Sequence, residues 1–239
     1  MATYRGEPYV KEQIDSILRQ LGDDDELIVV DDASADATVA VVRSIADPRI
    51  VLRVHSTNVG YVRTFEEAIG HARGEFIFLS DQDDVWSDGR LDLMLHALQT
   101  RLVVAGNYSV LNEAGRMPAR RPLRREYDGR TAANIVAVMI GYRPYFGCAM
   151  GFRRELTRVL LPFPAVFVES HDLWLALSGI AHRSVAHLPD VVVERRLHEY
   201  NVTPLRWRPL PTILRARFML LQGYVLARHR ARRLSRPLG

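Results

Sequence analysis

Apolar residues in the first half of the chain alternate between helical spacing and short continuous runs. Residues 8–21 carry apolar side chains at helical spacing, and residues 26–30 form the run ELIVV, which predicts a buried strand. The alternation continues with a predicted helix at 38–45, strand at 49–54, helix at 65–72, strand at 75–80, helix at 91–100 and strand at 102–108. This order of elements predicts an α/β fold with a mainly parallel sheet flanked by helices on both faces.

The second half of the chain has a less regular pattern. Residues 112–130 are polar and rich in arginine, which indicates a mobile or variable connection at the surface. Beyond it the pattern predicts a helix at 131–142, a strand at 145–152, a helix at 171–179, a strand at 184–193 and a polar loop at 195–203.

Polar side chains follow three of the predicted strands at the point where each strand ends. They are Asp31 with Asp32, then Asn58, and then the acidic segment 81–84. Ligands of open parallel sheets bind outside the carboxyl ends of the strands. We therefore expect these polar side chains to share one edge of the sheet.

The segment FLSDQDDVW brings three carboxylates, Asp81, Asp83 and Asp84, directly after an apolar run. Carboxylates so close repel one another unless a cation or hydrogen-bond donors neutralise them. Magnesium and manganese prefer carboxylate oxygens and often link them to substrate phosphates. The segment therefore indicates a metal–diphosphate site, with a solvated acidic turn as the alternative.

A second enzyme class also carries closely spaced acids of this kind. Phosphatases of the haloacid-dehalogenase type have an Asp-x-Asp motif, but on their first strand and with a later lysine. Here two strands are predicted before the motif, and Lys11, upstream of it, is the only lysine. The phosphatase interpretation is therefore disfavoured.

The composition is ordinary for a globular protein, with 239 residues of which 48% are apolar and 25% charged. No apolar run reaches the roughly 18 residues of a membrane-spanning helix, and the first residues do not have the pattern of a signal peptide. The single cysteine, Cys148, excludes an internal disulfide and fits a reducing compartment, so we expect a cytoplasmic location.

The last segment, residues 206–239, carries nine arginines and no acidic residue. Within it, residues 213–226 have apolar side chains at the spacing of an amphipathic helix. Such a basic helix fits peripheral contact with the inner membrane, or packing against the rest of the protein with solvated arginines. Binding to nucleic acid is not expected, since no aromatic-interleaved or known binding motif accompanies the charge.

Six segments in register carry a family resemblance. They are ATYRGE at 2–7, VDDASAD at 30–36, NVG at 58–60, FLSDQDDVW at 78–86, HDLW at 171–174 and HEYN at 198–201. Residues 1–205 resemble the family 2 glycosyltransferases of the GT-A fold, and within them the bacterial rhamnosyltransferase-like branch. The resemblance implies a nucleotide-sugar-binding half at 1–110, an acceptor-binding and catalytic half at 111–205, and a basic helical tail at 206–239.

The resemblance also implies roles for individual residues. Asp172, at the start of a helix, is the expected catalytic base, and Asp83 and His198 are the expected metal ligands. The expected donor-binding residues are Thr3, Tyr4, Glu7, Asp31, Asp32, Asn58, Gly60, Asp81, Asp84, Arg195 and Arg196.

Most of these residues also have a purely structural interpretation. Asp31 and Asp32 suit helix capping, and Asn58 and Gly60 suit a simple turn. Asp172 suits an N-terminal acidic cap, and the two arginines suit an ordinary surface. Two neighbours are expected in ordinary positions, His171 facing solvent and Trp86 in the core. The alternatives are that His171 orients Asp172 and that Trp86 borders the donor sugar.

The implied reaction is an inverting transfer, expected to move rhamnose from dTDP-rhamnose to a glycan or lipid-linked acceptor in surface polysaccharide synthesis. It would need a divalent cation, manganese or magnesium. Two departures stand out: most of the family's first strand is missing before Ala2, and Arg5 stands where relatives commonly have asparagine. The alternative function is therefore a degenerate, non-catalytic nucleotide-binding scaffold.

Overall fold

The computed structural model of the chain describes residues 1–112, 115–118, 121–143, 145–196 and 209–234. His198 and most of the loop expected at 195–203 lie outside the described residues. The strands are β1 (Ala2–Thr3), β2 (Leu27–Asp31), β3 (Ile50–Val54), β4 (Phe76–Phe78), β5 (Val85–Trp86), β6 (Val103–Asn112), β7 (Gly115–Pro118), β8 (Met150–Arg153) and β9 (Val185–Arg196). The α-helices are α1 (Val10–Leu18), α2 (Thr38–Ser44), α3 (Tyr61–His71), α4 (Arg90–Leu98), α5 (Thr131–Met139), α6 (Thr157–Leu160), α7 (His171–Ala181) and α8 (Leu210–Leu234).

The first sheet is parallel, in the order β1-β2-β3. The apolar run predicted as a strand becomes β2, all of whose residues are buried. The first strand is short: Ala2 pairs with Val30 and Thr3 with Asp31.

The second sheet has six strands, in the order β4-β8-β6-β9-β5, with β7 paired to β6. It is mixed, because β8 lies antiparallel between β4 and β6, whereas β6 and β9 are parallel. The α/β class is confirmed, and the parallel pairing expected from the sequence applies to the first sheet and to β6 with β9.

A cavity of about 730 Å³ separates the two sheets. Its walls include apolar side chains of β2, α3 and β4, among them Leu27, Ile28, Phe65 and Ile77. Within the described strands, β4 pairs with β8 only, so its other edge faces this cavity.

Several sequence predictions of local structure are corrected. Residues 112–130 are not simply a variable connection, since β6 and β7 form a hairpin there and a 3₁₀ turn follows at Arg125–Tyr127. The strand expected at 145–152 is shorter, because Gly147–Ala149 forms a 3₁₀ turn before β8. The late strand expected at 184–193 is longer at its C-terminal end, because β9 reaches Arg196.

The main core lies between the second sheet and α7, where Trp174 is fully buried. One face of α8 packs on this core through Leu220 and Ala227. Trp86 is also buried, in the smaller core around α1, which agrees with its expected core position. No helix within the described residues is long and apolar enough to cross a membrane.

Candidate active site

The acidic segment lies in the loop between β4 and β5, and a side chain of α1 holds its start through hydrogen bonds. Gln13, fully buried on α1, donates from Nε2 to Ser80 Oγ at 2.6 Å and to the Asp81 carbonyl at 2.8 Å. Its own amide oxygen accepts the hydroxyl of Ser16 at 2.9 Å. This buried network fixes the backbone at the first carboxylate.

A second glutamine, within the acidic segment, connects it to the loop after β1. The Tyr4 N–H donates to Gln82 Oε1 at 2.7 Å, and Gln82 Nε2 donates to the Tyr4 carbonyl at 2.8 Å. Gly6 makes this approach possible, because a Cβ there would lie 2.3 Å from Gln82 Oε1. The pair brings the segment of Thr3, Tyr4 and Glu7 beside the carboxylates.

The carboxylates form a negative cluster in a buried setting. Burial, with repulsion from Asp84 and Asp83, raises the pKa of Asp81 to about 8. Burial and the charge of Asp83 raise the pKa of Asp84 to about 6. Asp84 Oδ1 accepts the Arg196 N–H at 3.2 Å, while Oδ2 is buried without a hydrogen-bond partner among the described residues. The Arg195 charge and the Arg196 N–H act in the opposite direction but do not offset burial and the mutual repulsion of the carboxylates.

The donor set of this cluster fits a hard divalent cation. Ligand atoms of Asp81, Asp84 and Cys148 lie within 4.8 Å of one another, and Asp83 adds its charge to the same field. Burial raises the pKa of the Cys148 thiol, which therefore stays protonated. Oxygen atoms are then the effective ligands, and oxygen ligands are those that magnesium and manganese prefer.

Arg195 is a cation whose charge acts on Asp81 and Asp84. Burial opposes its charge, but the nearby carboxyls of Asp84 and Asp81 raise the pKa of Arg195. Its guanidinium carbon lies 4.2 Å from the centre of the Phe146 ring, and its Nε is buried without a partner among the described residues. An unpaired, partly buried donor beside the acids is placed to meet a phosphate oxygen.

Arg196, by contrast, points toward α1. Its Nη2 donates to Glu12 Oε2 at 2.7 Å, and its guanidinium carbon lies 5.2 Å from the Tyr9 ring centre. Its backbone N–H contacts the acidic cluster, but its side chain does not lie with that of Arg195. The two arginines expected to act together are thus directed to different places.

Asp172 lies in the first turn of α7, after Ser170 in the left-handed region with φ 61°. Its Oδ1 accepts the Leu173 N–H at 2.7 Å. Burial raises the pKa of Asp172 to about 6, although backbone donors and the charge of Arg195 act in the opposite direction. The charge of Asp172 also raises the pKa of Asp81, so the two carboxyls share one electrostatic neighbourhood.

The expectation that His171 faces solvent is wrong. Its ring stacks on Phe65 with ring centres 4.1 Å apart, and burial lowers its pKa to about 3. Gly147 lies against it, since a Cβ at this position would be 2.7 Å from His171 Nε2 and 3.6 Å from Asp172 Cβ. The neutral His171 and the absent side chain of Gly147 together define the floor beside Asp172.

Asp31, the last residue of β2, and Asp32, which follows it, organise neighbouring loops. Asp32 accepts the N–H groups of Val59 and Gly60, each at 2.8 Å, and contacts His55 Nδ1 at 2.9 Å. The Asn58 side chain donates to the Asp32 carbonyl at 3.2 Å. The carboxylate therefore shapes the turn expected at 58–60, with Gly60 at φ 86°.

Asp31 and Glu7 have similar structural partners. Asp31 accepts the hydroxyls of Thr3 at 2.9 Å and Ser34 at 2.6 Å. Glu7 accepts the Ala37 N–H at the start of α2 at 3.1 Å. These contacts join the loops after β1, β2 and β3 into one rim around the acidic cluster.

Besides the two glutamines, Arg90 and Phe146 hold this site, and the sequence analysis singled out neither of them. Arg90 is fully buried and donates to the carbonyls of Leu79, Cys148 and Val192, one from each strand region around the site. Phe146 supplies the ring under Arg195. A lone polar or aromatic residue carries no periodic signal, so neither stands out in the sequence.

Residues 1–161 match the family model described as Glycosyl transferase family 2. The chain belongs to this family. The match includes the acidic cluster and ends before Asp172. Rhamnosyltransferase-like branch membership, expected from the sequence, has no such support.

Known relatives and structures agree with this membership. A UDP-Glc:alpha-D-GlcNAc-diphosphoundecaprenol beta-1,3-glucosyltransferase, WfgD of Escherichia coli, is 26% identical over 217 residues, which cover 88% of this chain and 80% of that protein. The crystal structure of S. aureus TarS 1-349 with UDP-GlcNAc has a TM-score of 0.71 at 18% identity and covers 100% of this chain and 73% of that one.

A second similar structure is the mannosyltransferase PcManGT from Pyrobaculum calidifontis in complex with GDP-Man and Mn²⁺. Its TM-score is 0.61 at 21% identity, with 99% of this chain and 74% of that chain covered. These likenesses confirm the GT-A fold, with a parallel first sheet and a mixed second sheet flanked by helices.

Proposed function

We propose that this protein is an inverting glycosyltransferase that moves a sugar from a nucleotide sugar to a hydroxyl of a glycan or lipid-linked acceptor, in the synthesis of a cell-surface polysaccharide. The observation that carries the proposal is the carboxyl of Asp172, whose pKa is raised to about 6 beside the acidic cluster. Family membership and the named activity of WfgD support it.

The donor would lie across the rim formed by the loops after β1, β2 and β3. Thr3, Tyr4 and Glu7 would border the nucleotide on one side, and Asp31 and Asp32 on the other. The carboxylate oxygens of Asp32 accept backbone N–H groups, and a carboxylate oxygen of Asp31 accepts a hydroxyl, so these two residues would contribute to binding by shaping the rim. Asn58 and Gly60 would form the remaining wall of the base pocket.

A bound divalent metal ion would neutralise the diphosphate and stabilise it as a leaving group. Asp83 would hold it, with Asp81 and Asp84 beside it. His198 is the further ligand expected from the sequence. Arg195 would contribute a fixed positive charge and a free N–H to the diphosphate oxygens.

Asp172 would act as the general base of a single displacement. Its carboxylate takes the proton of the acceptor hydroxyl while that oxygen bonds to the anomeric carbon. The bond from this carbon to the diphosphate oxygen breaks on the opposite side, and the leaving group keeps the electron pair. The configuration at the anomeric carbon is thereby inverted.

We propose rhamnose from dTDP-rhamnose as the donor, on the resemblance of the acidic segment and of HDLW to the rhamnosyltransferase-like branch. The donors named for similar proteins, UDP-Glc, UDP-GlcNAc and GDP-Man, are the competing candidates. The acceptor, when lipid-linked, would place the reaction at a membrane surface.

A second candidate function is a non-catalytic nucleotide-binding scaffold. The short first strand favours it, because β1 pairs with β2 through only two residues. Asp172 favours catalysis, since a protein that only binds a nucleotide has no use for a carboxyl whose pKa is raised to about 6.

The test is donor hydrolysis and binding with purified protein and a panel of nucleotide sugars, with manganese or magnesium. We expect metal-dependent release of one nucleoside diphosphate, lost in Asp83→Ala and in Asp172→Ala, and calorimetric binding of that donor by wild type. Donor binding without release by a folded protein, in the presence of acceptor extract, would favour the scaffold.

A further inference from the structure

An exposed apolar stripe runs along α8. Five large side chains on this helix are more than half exposed: Leu210 (68%), Leu214 (60%), Phe218 (61%), Leu221 (52%) and Val225 (61%). Their positions follow steps of four, four, three and four residues, which places them on one helical face. At a rise of about 1.5 Å per residue the stripe is about 22 Å long.

The opposite face of α8 is fixed to the protein. Leu220 and Ala227 are buried, and a Cβ at Gly223 would lie 2.5 Å from Phe167 Cζ. Arg230 donates to the carbonyls of Val159 and Pro162 at 2.7 and 2.9 Å. The helix is thus held in one orientation, and the stripe is directed away from the core.

The end of α5 enlarges this surface. Val136 (58% exposed), Ile140 (66%) and Tyr142 (49%) are all accessible. Gly141 touches α8, because a Cβ there would lie 2.6 Å from Arg217 Nη2. The stripe and these three side chains are defined here as the α5–α8 surface. Exposed apolar patches of this extent mark interaction sites.

The charge of the α5–α8 surface indicates which kind of partner it binds. Residues 131–143 and 209–234 contain no Asp or Glu, while Arg215 and Arg228 are exposed on α8. A second copy of the chain would bring arginines against arginines across the stripe. A surface of apolar side chains among arginines is instead complementary to the interface of an anionic bilayer.

We propose that the α5–α8 surface docks on an anionic membrane surface, with the stripe in the headgroup region and the arginines at lipid phosphates. The proposal extends the proposed function, because a lipid-linked acceptor is presented at such a surface. Membrane binding is measured without donor or acceptor, so its failure is distinct from a failure of the transferase proposal.

The test is flotation of the full chain with phosphatidylcholine liposomes, with and without phosphatidylglycerol. We expect flotation with the anionic liposomes that falls about tenfold in Leu214→Glu/Phe218→Glu and weakens at high salt. The matched control, His96→Glu/Gln99→Glu, adds the same charge on exposed positions at the end of α4, away from the α5–α8 surface, and should retain binding within about threefold.

The second variant Phe218→Gln/Val225→Gln adds no charge and should also lose flotation, with circular dichroism spectra confirming that each variant is folded. Equal flotation of wild type and both stripe variants would overturn the proposal. So would absence of flotation by wild type, or a wild-type dimer that the same substitutions dissociate.

Discussion

The guanidinium carbon of Arg195 lies 4.2 Å from the centre of the Phe146 ring, and this contact fixes the cation beside Asp81 and Asp84. The ring belongs to the segment before β8 and the arginine to the end of β9. A charge held by an aromatic face keeps its N–H groups available to a ligand. We therefore expect Arg195, rather than Arg196, to contact the diphosphate.

We expect Arg195→Ala to weaken donor binding by about tenfold or more, since a hydrogen bond to a charged group contributes about 1.5–3 kcal/mol. Arg196→Ala is the matched control, because that side chain pairs with Glu12, and it should change donor affinity by less than about threefold. Isothermal titration calorimetry with the donor compares them. Equal losses in both variants would contradict the assignment.

The carboxylate cluster makes stability depend on pH. The pKa values of Asp81 and Asp84, about 8 and about 6, exceed the ordinary unfolded value of about 4. Between the unfolded and the folded pKa values the folded state binds more protons than the unfolded state. The free energy of unfolding of the metal-free protein therefore falls as pH rises from about 5 to 8.

Manganese should offset this loss and raise the unfolding midpoint more at pH 8 than at pH 5.5. Chemical unfolding with manganese or with EDTA measures it, and Asp83→Ala should remove at least about 1 kcal/mol of the manganese effect. An equal manganese effect at both pH values, or one that survives in Asp83→Ala, would argue against a metal at this cluster.

Gly147 has no room for a side chain beside His171 and Asp172. In Gly147→Ala the new Cβ would lie 2.7 Å from His171 Nε2 and displace the start of α7, so we expect transfer to fall about 100-fold. Gly70→Ala is the control, because no atom lies within 4 Å of its new Cβ on α3, and it should gain up to about 1 kcal/mol of stability. Unchanged transfer by Gly147→Ala would show that this contact is not needed.

Arg5 adopts φ 51°, a conformation that costs a side chain with Cβ about 1–2 kcal/mol. Arg5→Asn introduces a side chain that tolerates the left-handed region better, and should raise the free energy of unfolding by about 0.5–1 kcal/mol. Its backbone bond to Ser34 Oγ at 2.8 Å is retained. Arg19→Asn, at an exposed position with φ −62°, should give no such gain in denaturant unfolding.

The sequence predicted the parts of the fold that periodic patterns encode. β2 and the acidic loop were expected because an apolar run ends in carboxylates, but the expected single sheet edge is wrong, since β2 belongs to the first sheet and β4 to the second. The β6–β7 hairpin was not expected, since residues 112–130 are too polar to read as strands. Antiparallel insertion of β8 was also missed, because pairing partners depend on tertiary contacts.

Within the site, the sequence pointed to residues with charge and missed those that hold them. Gln13, Gln82 and Arg90 act through backbone carbonyls that only folding brings near them. His171 was expected in solvent because its ring partner, Phe65, is distant in sequence. Division of the chain at residue 205 into a catalytic domain and a tail stays a prediction.

The most direct test of the account is the pH dependence of sugar transfer by wild type and by Asp172→Asn, at saturating donor, metal and acceptor. The base must be ionised, so the wild-type rate should fall about tenfold per pH unit below a pKa of about 6. Asp172→Asn should lose about 10²–10⁴-fold in rate, with donor affinity within threefold of wild type and without that acidic limb. A variant that retains more than about a tenth of the wild-type rate, with the same pH profile, would contradict the assignment of Asp172 as the catalytic base.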